Sequence, residues 1–166
     1  MKRFSSLLAT AFLAALFLSS CSQGWQQYAL PTLPQKEGLQ IDIEPLDNKY
    51  DRHGPIEVQF TVTNVGDTPV RINRAQTPLE GKFTTDYFSI SHKKHDVYYT
   101  GTRRPRNPYL PGLKQRIQLK PGESISGVVD ISQGYEFQKG GKYTLAFHGS
   151  TVNRLPDSPE VEIKLK

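Results

Sequence analysis

The side chains that could carry acid–base or metal chemistry are few, and their spacing does not favour it. His92 and His95 lie three residues apart, but two lysines stand between them in a stretch that is typical of a turn. Zinc hydrolases use tighter ligand sets, such as two histidines one helical turn apart with a glutamate between them, and no His-Glu-x-x-His pattern occurs. His53 and His148 are isolated. We therefore predict no metal site and no cofactor.

Motifs for a nucleophile or a phosphate are missing as well. The sequence has no Gly-x-Ser-x-Gly elbow and no glycine-rich phosphate loop. The carboxylates Asp42, Glu44 and Glu57 alternate with apolar residues, which places them on the solvent side of strands. We predict no catalytic residue, and a hydrolase with an unrecognised site is the least favoured hypothesis.

The net charge is mildly basic. Lysine and arginine number 21 against 16 acids, a balance of +5. Without the first twenty residues, which carry Lys2 and Arg3, the balance falls to 19 − 16 = +3. A small and dispersed charge is typical of a solvated surface. We predict no nucleic-acid partner.

The N-terminus has the pattern of an export signal. A basic start is followed by an uncharged apolar run to Ser20 that is short for a membrane span. The residues Leu18–Cys21 resemble a bacterial lipobox, in which the cysteine is acylated. We predict a signal peptide at 1–20, lipidation of Cys21 and membrane attachment through that lipid. Ser22, rather than an aspartate, follows the cysteine, which resembles the pattern of lipoproteins sorted to the outer membrane. The predicted location is therefore the cell envelope, at the outer membrane and facing the periplasm. The alternative is a plain signal or anchor with an incidental cysteine.

After a polar tether at 21–38, residues 39–166 carry the periodicity of a β-domain. Apolar and polar residues alternate in short runs, and turn residues separate the runs. Pro121-Gly122 is typical of a type II turn, and Gly140-Gly141 marks a second break. We predict an all-β domain, an immunoglobulin-like antiparallel β-sandwich of about eight strands. The inward-facing residues include Leu39, Ile41, Ile43, Ile56, Val58, Phe60, Val62, Ile125, Val129, Ile131, Tyr143, Leu145 and Phe147.

The segment 101–114 is the most unusual predicted surface, because it is long, basic and rich in proline. Arginine and tyrosine dominate binding hot spots, and long loops in small domains often have a function. We predict a protein-binding surface there, with residues of a second loop as neighbours: Arg103, Arg104, Arg106, Tyr109, Leu110, Thr77, Leu79 and Glu80. Two alternatives remain open: a solvated loop whose arginines pair with local acids, and a contact with a polyanion or anionic lipid.

Several stretches together resemble the propeptide of deuterolysin-type zinc metalloendopeptidases, over about residues 39–149. In order they are Phe60–Asn64 with Gly66–Val70, Thr77–Gly81, Tyr99–Gly101, Leu119–Asp130 with Tyr135, and Gly141–Thr144. The resemblance implies a prodomain-like fold that chaperones or inhibits a protease. The zinc motif of the catalytic domain is not found here, so the expectation is a free-standing relative of the prodomain.

The leading hypothesis from the sequence is a non-catalytic envelope lipoprotein whose β-sandwich binds another protein. The resemblance implies an exported metalloprotease as the partner. The alternative is a structural or adaptor lipoprotein of the envelope with no protease link, because a fold can be shared while the partner differs.

Overall fold

The computed structural model describes residues 37–93, 95–101, 116–149 and 153–166. The chain divides into two units, Met1–Thr32 and Leu33–Lys166, and all described residues belong to the second. The predicted signal peptide, Cys21 and most of the tether lie outside the described residues.

Nine β-strands form antiparallel pairs in the described part of the chain. They form three sheets with the orders β1-β2-β7, β3-β6 and β5-β4-β8-β9. The prediction of an all-β antiparallel sandwich is confirmed. Within these residues no helix is long and apolar enough to cross a membrane. The strands are β1 Leu39–Pro45, β2 Glu57–Asn64, β3 Val70–Asn73, β4 Phe88–His92, β5 His95–Asp96, β6 Arg116–Leu119, β7 Ser124–Asp130, β8 Gly141–Phe147 and β9 Val161–Leu165.

The core lies between the β1-β2-β7 sheet and the β5-β4-β8-β9 sheet. Every second residue of β1 and β2 is buried, as period-two alternation predicts. In β8 the predicted inward residues Tyr143, Leu145 and Phe147 are buried. The rings of Phe60 in β2 and Phe147 in β8 meet with centroids 4.8 Å apart, which joins the two layers.

Asn64 ends β2 and holds several chain segments together. Its side-chain amide is fully buried and donates to the carbonyls of Thr68 at 2.8 Å and Leu119 at 3.1 Å. Its Oδ1 accepts from the Gly66 N–H at 3.1 Å. The backbone N–H groups of Val65 and Gly66 donate to the Gly38 carbonyl at the start of β1. The matched Asn-x-Gly stretch therefore serves the fold.

The Pro121-Gly122 turn has the predicted geometry. Gly122 has φ +77°, and the Glu123 N–H donates to the Lys120 carbonyl at 3.0 Å. A left-handed third residue with this hydrogen bond defines a type II turn. The turn joins β6 to β7.

Two strands are shorter than the alternation of apolar and polar residues along them predicts. β7 stops at Asp130, whose carboxylate caps a 3-10 turn at Ile131–Gln133 by accepting from the Ser132 N–H at 3.0 Å, so Ile131 is buried without being in a strand. β5 contains two residues, and Tyr99 makes a single antiparallel bridge to Tyr135 instead of pairing with β4. The Tyr99 ring packs against the Tyr135 ring at 5.4 Å, which draws it away from the hairpin.

The outer side of β9 is partly covered by the loop that follows β1. Tyr50 donates its N–H to the Lys164 carbonyl at 2.9 Å and accepts from the Lys166 N–H at 2.9 Å. Its side chain is buried, and its hydroxyl accepts from the Asp47 N–H at 2.9 Å. This fixes the loop that forms one wall of the cleft described below.

Candidate partner-binding surface

Most of the predicted partner-binding residues lie outside the described part of the chain. This applies to Arg103, Arg104, Arg106, Tyr109 and Leu110. Their role as a contact surface stays a prediction.

The structure describes the other predicted contact residues, in a 3-10 turn at Pro78–Glu80. Thr77 is fully buried and caps this turn: its Oγ1 accepts from the Leu79 N–H at 3.2 Å and donates to the Arg74 carbonyl at 2.7 Å. Leu79 is 5% exposed and belongs to the core. A partner docking on the folded domain therefore meets neither side chain, because both face inward.

Glu80 keeps partial exposure but also braces the turn. Its Oε2 accepts from the Gln76 N–H at 3.0 Å and from the Thr84 hydroxyl at 3.1 Å. Gly81 and Lys82 follow on the surface. A partner at this loop would meet Glu80, Gly81 and Lys82.

Backbone hydrogen bonds hold residues 100 and 101, at the start of the arginine-rich segment 101–114. The N–H groups of Thr100 and Gly101 donate to the Gly134 carbonyl at 2.9 and 3.3 Å. The Tyr99 ring packs against Phe83 at 6.1 Å as well as against Tyr135. The rim that precedes the segment is thus built on an aromatic cluster in which Tyr135 is buried and Phe83 and Tyr99 are partly buried.

A polar cleft of about 730 Å³ lies beside this rim. One wall is the loop after β1, and the other is the segment that follows β7. The guanidinium of Arg52 joins the walls by donating to the Gln138 carbonyl at 2.7 Å. The lining residues are Arg52, His53, Gly54, Pro55, Thr100, Asp130, Ser132, Tyr135, Glu136, Phe137 and Gln138. Sequence reasoning missed this cleft because its walls lie far apart in the chain.

Asp130, one of the acids that line the cleft, accepts hydrogen bonds that stabilise the fold. Asp130 Oδ1 accepts from the Ser132 hydroxyl at 2.6 Å, the Ser132 N–H at 3.0 Å and the Ile56 N–H at 2.9 Å. Burial alone raises the pKa of Asp130, but these hydrogen bonds outweigh it and leave that pKa below its usual range. Asp130 stays a carboxylate that holds loops together, which is poorly suited to proton transfer at neutral pH.

The histidines do not form a metal centre with other ligands in the described residues. Within the described ranges no group of three or more His, Cys, Asp and Glu side chains is arranged to hold an ion. His92 and His95 are paired residues across the β4–β5 hairpin, and the His92 ring packs on Tyr143 with centroids 4.4 Å apart. His92 and His95 therefore belong to strands, whereas the sequence predicted a turn for both.

Tyr98 is an exposed aromatic side chain that sequence reasoning did not single out. It is 79% exposed, the highest value among the large apolar side chains exposed in the described residues. The antiparallel bridge between Tyr99 and Tyr135 places Tyr98 opposite Glu136, a residue of the cleft wall. It alternates with Val97 and Tyr99, which are partly buried against the core, and this alternation is the sequence signal that indicates its outward direction.

Comparison with known proteins relates the chain to proteases. No family model matches it. It is 29% identical over 163 residues to a neutral protease 2 homolog of Coccidioides posadasii, covering 97% of this chain and 41% of that protein. A neutral protease 2 homolog of Arthroderma gypseum is 26% identical over 152 residues, 90% of this chain and 37% of that protein. An extracellular protease of Aeromonas hydrophila is 29% identical over 97 residues, 58% of this chain and 27% of that protein.

The chain is therefore similar to a region of protease-related proteins, and it spans about two fifths of the length of the neutral protease relatives. Solved structures add no functional argument. A β-glucosidase from Erythrobacter marinus shares 12% identity at a TM-score of 0.41, over 77% of this chain and 15% of that one. A β-glucosidase from Listeria innocua in complex with isofagomine shares 10% identity at a TM-score of 0.38, over 76% of this chain and 16% of that one.

Proposed function

We propose that this protein is a non-catalytic lipoprotein of the bacterial cell envelope whose β-sandwich binds an exported metalloprotease and inhibits or chaperones it. The observation that carries the proposal is the partial-length match. Protease-named relatives align with most of this chain, while the chain corresponds to a minor part of each of them. A region of that kind fits a prodomain, which acts on a protease without performing its chemistry.

The proposed contact consists of the arginine-rich segment, residues 101–114, and the turn around Glu80. The segment starts from the rim at Thr100 and Gly101, which the Gly134 carbonyl fixes. Its prolines restrict the backbone, so less conformational entropy is lost when it enters a protease cleft. Acylation of Cys21 would keep this surface close to the outer membrane.

The test uses the full chain, purified in detergent, with purified envelope metalloproteases. Binding and peptidase activity are measured for the wild type and for the triple variant R103Q/R104Q/R106Q, with Arg71→Gln as a control that removes one exposed arginine from β3. We expect micromolar binding, a loss of at least about tenfold in the triple variant and an unchanged control. No binding at micromolar concentration, with or without the arginines, contradicts the proposal.

Lipid attachment is tested separately by growth with labelled palmitate. The label should enter the wild type and be absent from Cys21→Ser, which should also leave the membrane fraction. A soluble wild type without label contradicts the anchor.

A structural or adaptor lipoprotein with no protease link is the second candidate. It is favoured by the role of the matched motifs, since Asn64, Thr77 and Gly122 all stabilise turns. Residues that serve the fold are retained when the partner changes. Crosslinking in cells separates the candidates: an envelope assembly component favours the adaptor, and a protease favours the first proposal.

A further inference from the structure

Two exposed side chains, one in the cleft lining and one opposite it across the Tyr99–Tyr135 bridge, have no partner in the described residues. Tyr98 is 79% exposed, and its ring makes no aromatic contact with any other described residue. The carboxylate of Glu136 is exposed and forms no hydrogen bond or ion pair in the described part of the chain. Their register across the Tyr99–Tyr135 bridge puts both side chains on the same outer side. The register thus places an exposed aromatic ring and a free carboxylate next to each other.

Two other charged side chains of the cleft already form hydrogen bonds within the domain. Arg52 donates to the Gln138 carbonyl, and Asp130 accepts from Ser132 and Ile56. Glu136 is therefore the acid in the lining that has capacity for a new partner. A carboxylate beside an aromatic ring selects a cation, because the ring face and the carboxylate both attract positive charge.

A guanidinium fits this pair better than an ammonium. It is planar, so it stacks on a tyrosine ring while its edge donates two parallel hydrogen bonds to a carboxylate. The cleft beside the pair, about 730 Å³ and lined by polar side chains, has room for the backbone that carries the arginine. We propose that Tyr98 and Glu136 bind an arginine side chain of an extended segment of the partner protein. This rests on the proposed function, since it assigns the surface that meets the protein partner.

The experiment uses the full chain in detergent micelles and three short capped peptides as probes. Each peptide is Gly-Ser-X-Ser-Gly with arginine, citrulline or lysine at X, and amide chemical shifts report the binding. Citrulline keeps the shape of arginine but carries no charge. The protein variants are Tyr98→Ala, Glu136→Gln and, as a ring-preserving control, Tyr98→Phe. Glu57→Gln is the matched control for removal of an exposed acid.

We expect the arginine peptide to shift the amides of Tyr98, Thr100 and Glu136, and the citrulline peptide to leave them in place. Tyr98→Ala and Glu136→Gln should each weaken binding about fivefold or more, while Tyr98→Phe and Glu57→Gln stay near the wild type. Equal binding of citrulline or lysine overturns the assignment of arginine. Unchanged binding in both Tyr98→Ala and Glu136→Gln overturns the site.

The chain's own arginines are a competing occupant. If the peptide binds R103Q/R104Q/R106Q but not the wild type, the site is filled internally and the partner proposal is wrong.

Failure of this inference is distinct from failure of the proposed function. A metalloprotease that binds Tyr98→Ala and Glu136→Gln as tightly as the wild type removes this inference and leaves the proposed function standing. If the arginine peptide binds but no protease does, the proposed function is wrong and the arginine site remains.

Discussion

The side-chain amide of Asn64 donates to the Leu119 carbonyl at 3.1 Å, across 55 positions of the chain. The same amide group reaches the Thr68 carbonyl. One buried side chain at the end of β2 therefore satisfies a carbonyl in the β2–β3 connection and another at the end of β6.

Asn64→Ala should destabilise the domain strongly. Two carbonyls lose their donor, and the bond to the Leu119 carbonyl is buried. Leaving a buried polar group unsatisfied costs about 1–3 kcal/mol. We expect a loss of about 2–4 kcal/mol in the free energy of unfolding by urea, followed by circular dichroism. Asn48→Ala, on an exposed loop, is the control and should stay within about 0.5 kcal/mol. Equal stability of the two variants contradicts the role of Asn64.

Removing the hydroxyl of Tyr135 should destabilise the domain, whereas removing that of Tyr87 should not. The Tyr135 hydroxyl donates to Asp86 Oδ1 at 2.7 Å and accepts from the Phe88 N–H at 3.0 Å. The buried Tyr87 hydroxyl has no hydrogen-bond partner in the described structure. Tyr135→Phe should cost about 1–3 kcal/mol, whereas Tyr87→Phe should be neutral or slightly stabilising. Thermal denaturation of both variants measures this, and a larger loss for Tyr87→Phe would contradict the assignment.

Gly101→Ala should disturb the rim of the cleft. A Cβ at this position would lie 2.6 Å from the Tyr99 hydroxyl oxygen and 2.7 Å from the nearest atom of its ring, and the ring is packed on its other side. Overpacking of this kind costs about 1–3 kcal/mol. At Gly54 the nearest atoms to an added Cβ lie at 3.6 Å, so Gly54→Ala is the matched control. The readout is the urea midpoint together with the aromatic signals of Tyr99.

Asp130 should make the domain sensitive to acid. Its pKa in the folded state lies below the unfolded value of about 3.9, because hydrogen bonds from Ser132 and Ile56 outweigh the effect of burial. Its contribution to stability is therefore present above about pH 4 and is lost as the pH falls through the folded-state pKa. The stability gap between wild type and Asp130→Asn should be widest at pH 7 and should close below pH 4 in urea titrations. Exposed Asp67→Asn should show little gap at any pH.

The sequence predicted most strands because alternation and burial coincide along them. β1 and β2 bury every second residue, so their pattern was sufficient. The end of β7 was not predictable in this way. Ile131 continues the apolar pattern and is buried, but its backbone has already entered the turn that Asp130 caps. The apolar pattern predicts which side chains are buried, but it does not predict whether the backbone there is a strand or a turn.

The candidate surface was less predictable. Composition suggested that Thr77 and Leu79 lie in a surface loop, yet both face the core, because a short turn packed on β7 can bury its own side chains. Across the cleft Arg52 donates to the Gln138 carbonyl, 86 positions away in the chain, and no local sequence pattern predicts that contact. Tyr98 was accessible to the alternation argument, since its neighbours on both sides point inward.

The pairing of Tyr50 with β9 also bears on aggregation. A strand at the margin of a sheet presents unpaired N–H and C=O groups, which can add a strand from another molecule. The Tyr50 backbone occupies the Lys164 and Lys166 positions of that margin, and outward Glu162 and Lys164 put charge beside it. Together they discourage edge-to-edge polymerisation, which matters for a protein that would be concentrated on a membrane surface.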